Sequence, residues 1–210
     1  MDETGLSLTP LMPYTWAPRG ETPRIACSVN GGRLSAIGGV DLSGEIYFRV
    51  HEESIKSGQV TEYLGQLLRH IDGNVVVLWD GLPPHRSSAT KEFVAQHEDR
   101  LSTYRLPAYC PDFNPVEWLW AGVKWNGMKG FCPRNTDELK KKLRNCIRSL
   151  KRKPETVRSF FRVSSLPIGP QEETKLSNYQ YNRRYYRALS QRASDRGKSV
   201  RVEAGDVSGP

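Results

Sequence analysis

The sequence predicts an α/β fold in which a mixed sheet carries helices on both faces. Three features point there: short strand-like runs broken by glycine turns in the first 50 residues, a continuous apolar run Val75-Val76-Val77-Leu78-Trp79, and amphipathic helical stretches on either side of that run. Strands followed by alternating helix and strand is the order that layered α/β domains show.

Arg24–Val29, Arg33–Val40 and Glu45–Val50 are the candidate early strands. Asn30-Gly31-Gly32 and Leu42-Ser43-Gly44 separate them, and these residue types accept the positive φ of hairpin turns, so an antiparallel meander follows. Val60, Leu64, Leu67, Leu68 and Ile71 then recur at helical spacing, with Asp72-Gly73-Asn74 as a stop. The apolar run Asn74–Trp79 reads as a strand buried on both faces, and it ends at Asp80.

Gly81-Leu82-Pro83-Pro84 is expected to be a loop, after which Ser87 or Ser88 caps a helix reaching about His97. Thr103–Leu106 is a short strand halted by Pro107. Asn114 followed by Pro115 is a helix start, with an N-cap side chain and then proline at the first helical position, and it puts Glu117 on the first turn. Thr136–Leu150 carries Leu139, Leu143, Cys146, Ile147 and Leu150 on one face, and Pro154–Phe161 supplies a closing helix. Past Leu166 the chain is polar, with tyrosines set among arginines, and is expected to be disordered. The reading is a folded domain over residues 1–162 and a basic tail over 163–210. A ribonuclease-H-like fold satisfies this order, as do other α/β folds.

Composition narrows the function classes. No run approaches the roughly 20 apolar residues of a membrane-spanning helix, and Met1-Asp2-Glu3-Thr4-Gly5 has neither the basic nor the apolar part of a secretory signal. A cytoplasmic, nucleoid-associated protein is expected. Cys27, Cys110, Cys132 and Cys146 are far apart in sequence and read as reduced thiols. The net charge of +8 is unevenly spread: residues 1–128 are net −4, residues 129–162 net +9, and residues 163–210 net +3. A concentrated basic segment is what neutralising a phosphate backbone requires.

Three carboxylates stand at positions suited to metal chemistry: Asp2 at the start of the chain, Asp80 at the end of the apolar strand, and Glu117 on a helical first turn. Two-metal phosphoryl transfer needs hard oxygen ligands gathered from several elements. Taken singly, each has a simpler reading. Asp2 is a terminal residue, Asp80 opens an Asx-type turn before Gly81, and Glu117 stands where a capping-box glutamate reaches back to the N-cap amide.

The flanking residues add a resemblance. Tyr104-Arg105-Leu106-Pro107-Ala108-Tyr109-Cys110-Pro111-Asp112-Phe113-Asn114-Pro115-Val116-Glu117-Trp118-Leu119-Trp120, with Lys124 following, resembles the third-carboxylate motif of DDE transposases of bacterial insertion sequences in the mariner-like superfamily. Trp79-Asp80-Gly81-Leu82-Pro83-Pro84-His85-Arg86-Ser87 resembles the second-aspartate motif, with Gly81 where that family often has Asn. Asp2-Glu3-Thr4-Gly5 and Trp16–Pro23 resemble the first. The likeness spans roughly residues 1–162. It implies a ribonuclease-H-like fold, Asp2, Asp80 and Glu117 as ligands of two Mg²⁺ or Mn²⁺ ions, cleavage at transposon ends, and joining of the freed 3′-hydroxyl to target DNA.

In that family an apolar run precedes the first aspartate and a helix-turn-helix region precedes that run. The resemblance therefore implies a first strand largely missing and an end-recognition portion encoded upstream. It also implies a homodimer, since two ends must be paired. His85 and Arg86 are candidates to contact a phosphate or order the site. Lys140, Lys141, Lys142, Arg144, Arg148 and Lys151, with Arg86 and Lys124, are the expected contacts to double-stranded DNA, a contact that positions without reading bases. The other function class consistent with these residues is a non-catalytic DNA-binding remnant of a transposase.

Overall fold

Strand β1, Asp2–Ser7, alternates buried and accessible residues, with Asp2, Thr4 and Leu6 turned inward. A computed structural model of the chain describes residues 1–11, 18–20 and 31–166. β1 pairs antiparallel with β2, Arg33–Val40, in the register Asp2 to Gly38, and β2 pairs antiparallel with β3, Ile46–His51. The β2–β3 turn holds because Asp41 Oδ1 accepts from the Ser43 and Glu45 amides, while Gly44 adopts a positive φ of 93° that an L side chain resists.

Helix α1, Ser57–His70, leads into β4, Val75–Trp79, and β4 pairs parallel with β5, Leu101–Arg105. Between those strands lie α2, Pro83–Arg86, and α3, Ser88–Gln96, whose N-cap Ser87 accepts the Thr90 amide. A 3-10 turn at Pro111–Phe113 precedes α4, Pro115–Ala121, which runs on as a π-helical turn through Gly122–Gly127. α5, Thr136–Lys151, and α6, Pro154–Val163, complete the described chain. Asn135 caps α5 by accepting the Glu138 amide.

Two apolar clusters explain the layering. Because side chains alternate along β2, Leu34 and Ala36 face one way and Ile37 the other. The first pair packs with Val116, Leu119, Trp120, Leu143 and Ile147 of α4 and α5, whereas Ile37 packs with Tyr63, Leu64 and Leu67 of α1 and with Val75, Val77 and Trp79 of β4. Helices thus lie on both faces of the three-stranded ladder, as expected from the sequence.

Several expectations need correction. The strands form two ladders, β1-β2-β3 and β4-β5, and the Met1 amine donating to the Leu78 carbonyl at 2.7 Å bridges them. β4 is not buried on both faces: Val75, Val77 and Trp79 are buried, but Val76 is 61% exposed. The core that α4, α5 and α6 complete involves the β1-β2-β3 ladder and stops short of that side of β4. Pro83 starts the short helix α2 inside the segment expected to be loop, as proline at a first helical position can. The partner of β2 is Asp2–Ser7, which the sequence reading did not assign as a strand. Cys110 and Cys146 are free thiols, as read, whereas Cys132 is disulfide-bonded rather than reduced. The candidate strand Arg24–Val29, most of Trp16–Pro23 and the expected disordered tail lie outside the described residues.

Candidate metal-dependent active site

Asp2 is the first residue of β1 and is only 7% exposed. Its side chain shares the face of Thr4 and Leu6, which is the side covered by α4. Burial raises its pKa well above the ordinary carboxylate value, and the nearby Glu117 carboxylate pushes the same way, with Asp80 a smaller contributor. Glu117 is likewise raised, by burial and by Asp80, against the pull of the Lys124 ammonium. The three carboxylates from three separate elements therefore lie within electrostatic reach of one another.

Asp80 follows directly on β4, and its environment runs opposite. Burial would raise its pKa, but hydrogen bonds from His85 and the Leu82 amide outweigh that and lower it. Both bonds fall on Oδ1: the Leu82 N–H donates at 3.0 Å and His85 Nδ1 lies at 2.8 Å. The Asx-type turn read from sequence is real, and it leaves Oδ2 outside both bonds. For Glu117 the capping-box reading fails. The Asn114 amide donates to the Pro111 carbonyl, while Asn114 Oδ1 caps α4 by accepting the Val116 amide at 3.2 Å. Capping of α4 thus leaves the Glu117 carboxylate uncommitted to the helix end.

His85 is buried and stacks on Trp79, with ring centroids 4.6 Å apart and planes within 5°. Its Nε2 lies 2.7 Å from Glu3 Oε1. Burial lowers its pKa, yet the hydrogen bonds to Asp80 and Glu3 prevail and bring it to about 9, so the ring is an imidazolium at neutral pH. Ligand atoms of Glu3, Asp80 and His85 all lie within 4.8 Å of one another. In the metal-free chain the ring bonds to both carboxylates, so the trio is a hydrogen-bonded clamp on Asp80 and Glu3. Sequence reasoning missed Glu3. The available signal was strand alternation, which sends Asp2 and Glu3 to opposite faces.

Lys124 lies on the π-helical turn. Burial lowers its pKa, while Glu117 and Asp2 act to raise it. π-helical turns recur at functional sites, and this one places a cation beside two of the carboxylates.

Comparison with known families decides the assignment. The profile described as DDE superfamily endonuclease matches residues 1–140. The chain belongs to the DDE superfamily of endonucleases. None of the curated proteins matches the sequence. Among solved structures, the chain is similar to the Mos1 transposase paired-end complex with left transposon end, at 18% identity and a TM-score of 0.54, over 79% of this chain and 55% of that one. The Mos1 mariner paired-end complex with Mn gives 17% identity and 0.57, over 76% and 52%. The complex with Mg gives 18% and 0.56, over 76% and 51%. The chain spans about half the length of these proteins. At this identity the likeness establishes the fold, the ribonuclease-H-like arrangement expected from sequence.

In this DDE-superfamily chain the expected DNA contacts separate into two groups. Lys124 is gathered to the carboxylates. The basic face of α5 stands on its own helix, where Lys141, Arg144 and Arg148 are exposed. Lys140 Nζ pairs with Glu52 at 3.4 Å, Lys151 approaches Glu45 at 4.0 Å, and Lys142 lies 5.3 Å above the Phe131 ring. Arg86 is exposed at the end of α2, one residue beyond His85. Among the described residues no helix is long and apolar enough to cross a membrane.

Proposed function

We propose that this chain is the catalytic part of a transposase that cleaves DNA at transposon ends and joins the freed 3′-hydroxyl to a target, with Asp2, Asp80 and Glu117 holding two Mg²⁺ or Mn²⁺ ions. One observation carries the reading: Glu117 on the first turn of α4 and Asp80 at the end of β4 both raise the proton affinity of Asp2 on β1, and Asp80 raises that of Glu117. A like-charge cluster of hard oxygen donors is costly without a counter-charge, and a divalent cation is the counter-charge that such donors suit. The donor set thus fits the metal that the family uses, and the solved Mos1 complexes with Mn and with Mg support the choice of ion.

When bound, such ions supply Lewis acidity to the attacking water or 3′-hydroxyl and to the leaving oxygen. The protein's own contributions can be assigned residue by residue. His85 fixes Asp80 through Oδ1 and leaves Oδ2 outside that bond. Lys124 offsets part of the charge on Glu117 and Asp2. Lys141, Arg144 and Arg148 on α5, together with Arg86, supply exposed cations for the phosphate backbone. Pairing two transposon ends calls for two copies of the chain, and end recognition calls for a helix-turn-helix portion, in keeping with a similar structure of which the match covers 55%.

The test is metal-dependent nicking of supercoiled DNA by the purified chain, with Asp80→Asn and Glu117→Gln beside it. Nicking that requires Mg²⁺ or Mn²⁺ and disappears in both variants supports the reading. Nicking that survives both substitutions refutes the site, and salt-sensitive binding without cleavage favours the DNA-binding remnant instead.

A further inference from the structure

Arg105 ends β5 and stands opposite Trp79, the last residue of β4, and the next amide, that of Leu106, donates to the Trp79 carbonyl at 2.7 Å. The two parallel strands therefore finish together, and Arg105 and Asp80 leave them at the same edge, the place where open α/β sheets gather their ligands. The Arg105 side chain then lies over the loop that follows Asp80. A Cβ on Gly81 would stand 2.9 Å from Arg105 Nη2, 3.4 Å from Nε and 3.5 Å from Cζ, so the guanidinium rests on a residue without a side chain.

Of the cations at this edge, His85 and Lys124 are committed to carboxylates. His85 bonds to Asp80 and Glu3, and Lys124 is drawn by Glu117 and Asp2. Arg105 is exposed, and among the described residues the ion pairs are made by Arg49, His85, Lys140, Lys151 and Arg158. Its fork of N–H donors is thus held beside the carboxylates with no carboxylate of its own. A guanidinium matches the oxygens of a phosphodiester in geometry as well as in charge. Metal ions on Asp80 would take oxygens of the phosphate being cleaved. Arg105 lies across Gly81 from that carboxylate, so the adjoining phosphate of the same strand is the one within its reach.

We propose that Arg105 is a phosphate-binding residue of the active site, gripping the DNA backbone at the phosphate next to the scissile one, and that Gly81 is the seat that holds its guanidinium in place. The inference rests on the reading of Asp80 as a metal ligand. It adds to the exposed cations of α5 and Arg86 a contact fixed to the end of the catalytic strand itself, where it sets the register of the DNA strand over the carboxylates.

The test is anisotropy titration of a short fluorescein-labelled DNA duplex across a salt series, in Ca²⁺, a hard cation that carboxylates bind. Arg105→Gln should lower the slope of log affinity against log salt by about 0.9, the share of one phosphate. It should also weaken binding about tenfold, the strength of one hydrogen bond to a charged group. Arg105→Lys keeps the charge but not the fork, so it should retain most of the slope while losing affinity. Gly81→Ala probes the seat. Gly81 is not among the glycines at positive φ, and the atom that a Cβ meets most closely is the end of a flexible side chain, so this variant should melt with the parent. Its binding should nevertheless weaken, and Gly81→Ala combined with Arg105→Gln should bind no worse than Arg105→Gln alone. An unchanged slope in folded Arg105→Gln, additive losses in the double variant, or a parent chain that binds no duplex overturns the proposal. Failure of the metal-site reading shows separately, as nicking that survives Asp80→Asn and Glu117→Gln.

Discussion

His85 Nδ1 lies 2.8 Å from Asp80 Oδ1, and the same ring closes a second bond to Glu3, so one imidazolium ties the end of β4 to the second residue of β1. With its pKa at about 9, above the ordinary histidine value, this histidine stabilises the folded state most where it is charged in both states. In metal-free protein its contribution is fully present below about pH 6.5, shrinks as pH rises, and is gone above about 9. A shift of that size corresponds to roughly 3 kcal/mol. Urea unfolding in EDTA should show a loss of that order between pH 6.5 and 9.5, and His85→Gln should be nearly flat over the same range.

Asp2 behaves in the reverse sense. Its raised pKa means that the ionised carboxylate destabilises the metal-free fold, through burial first and the charge of Glu117 second. Asp2→Asn should therefore raise the melting temperature in EDTA by about 2–4 °C for each 1 kcal/mol recovered. It should also abolish the further rise that Mn²⁺ gives the parent chain, since a ligand stabilises only the state that binds it. A variant that melts lower in EDTA would contradict the electrostatic account.

Gly38 is the β2 residue opposite Asp2, and a Cβ there would stand 2.8 Å from Trp120 Cζ2. Trp120 is 1% exposed and has no open side to retreat toward. Gly38→Ala should cost about 1–3 kcal/mol by overpacking. Thermal unfolding measures this, and the paired variant Gly38→Ala with Trp120→Phe should recover part of the loss.

How far the sequence exposes this architecture depends on whether a residue's role is local. Asn114 as cap, Pro115 at the first turn, Ser87 as cap and the leucine stripe of α5 all follow from local rules, and all are found. The two-sided burial expected for β4 is not found, because a neighbour across the sheet, rather than the strand's own composition, decides whether Val76 is covered. The clamp of Glu3, His85 and Asp80 joins residues 82 apart in the chain, so no spacing rule reveals it. Strand Asp2–Ser7 escaped notice because Asp2, Glu3 and Gly5 give it weak strand character, and its pairing with β2 is what holds it extended.

The basic face of α5 gives a quantitative expectation for DNA. Each phosphate contact contributes about 0.9 to the slope of log affinity against log salt for duplex DNA. Replacing the exposed Lys141, Arg144 and Arg148 with glutamine should reduce that slope by about 2–3. It should weaken binding to all sequences alike, since phosphate contacts carry no base information. Anisotropy titrations across a salt series on two unrelated duplexes measure both effects.

The central claim is that Asp2, Asp80 and Glu117 together form the metal site, and counting bound Mn²⁺ by electron paramagnetic resonance tests it most directly. The account predicts two ions for each chain, with at least one lost in each of Asp80→Asn and Glu117→Gln while the variants remain folded. Undiminished Mn²⁺ binding in both folded variants would contradict it.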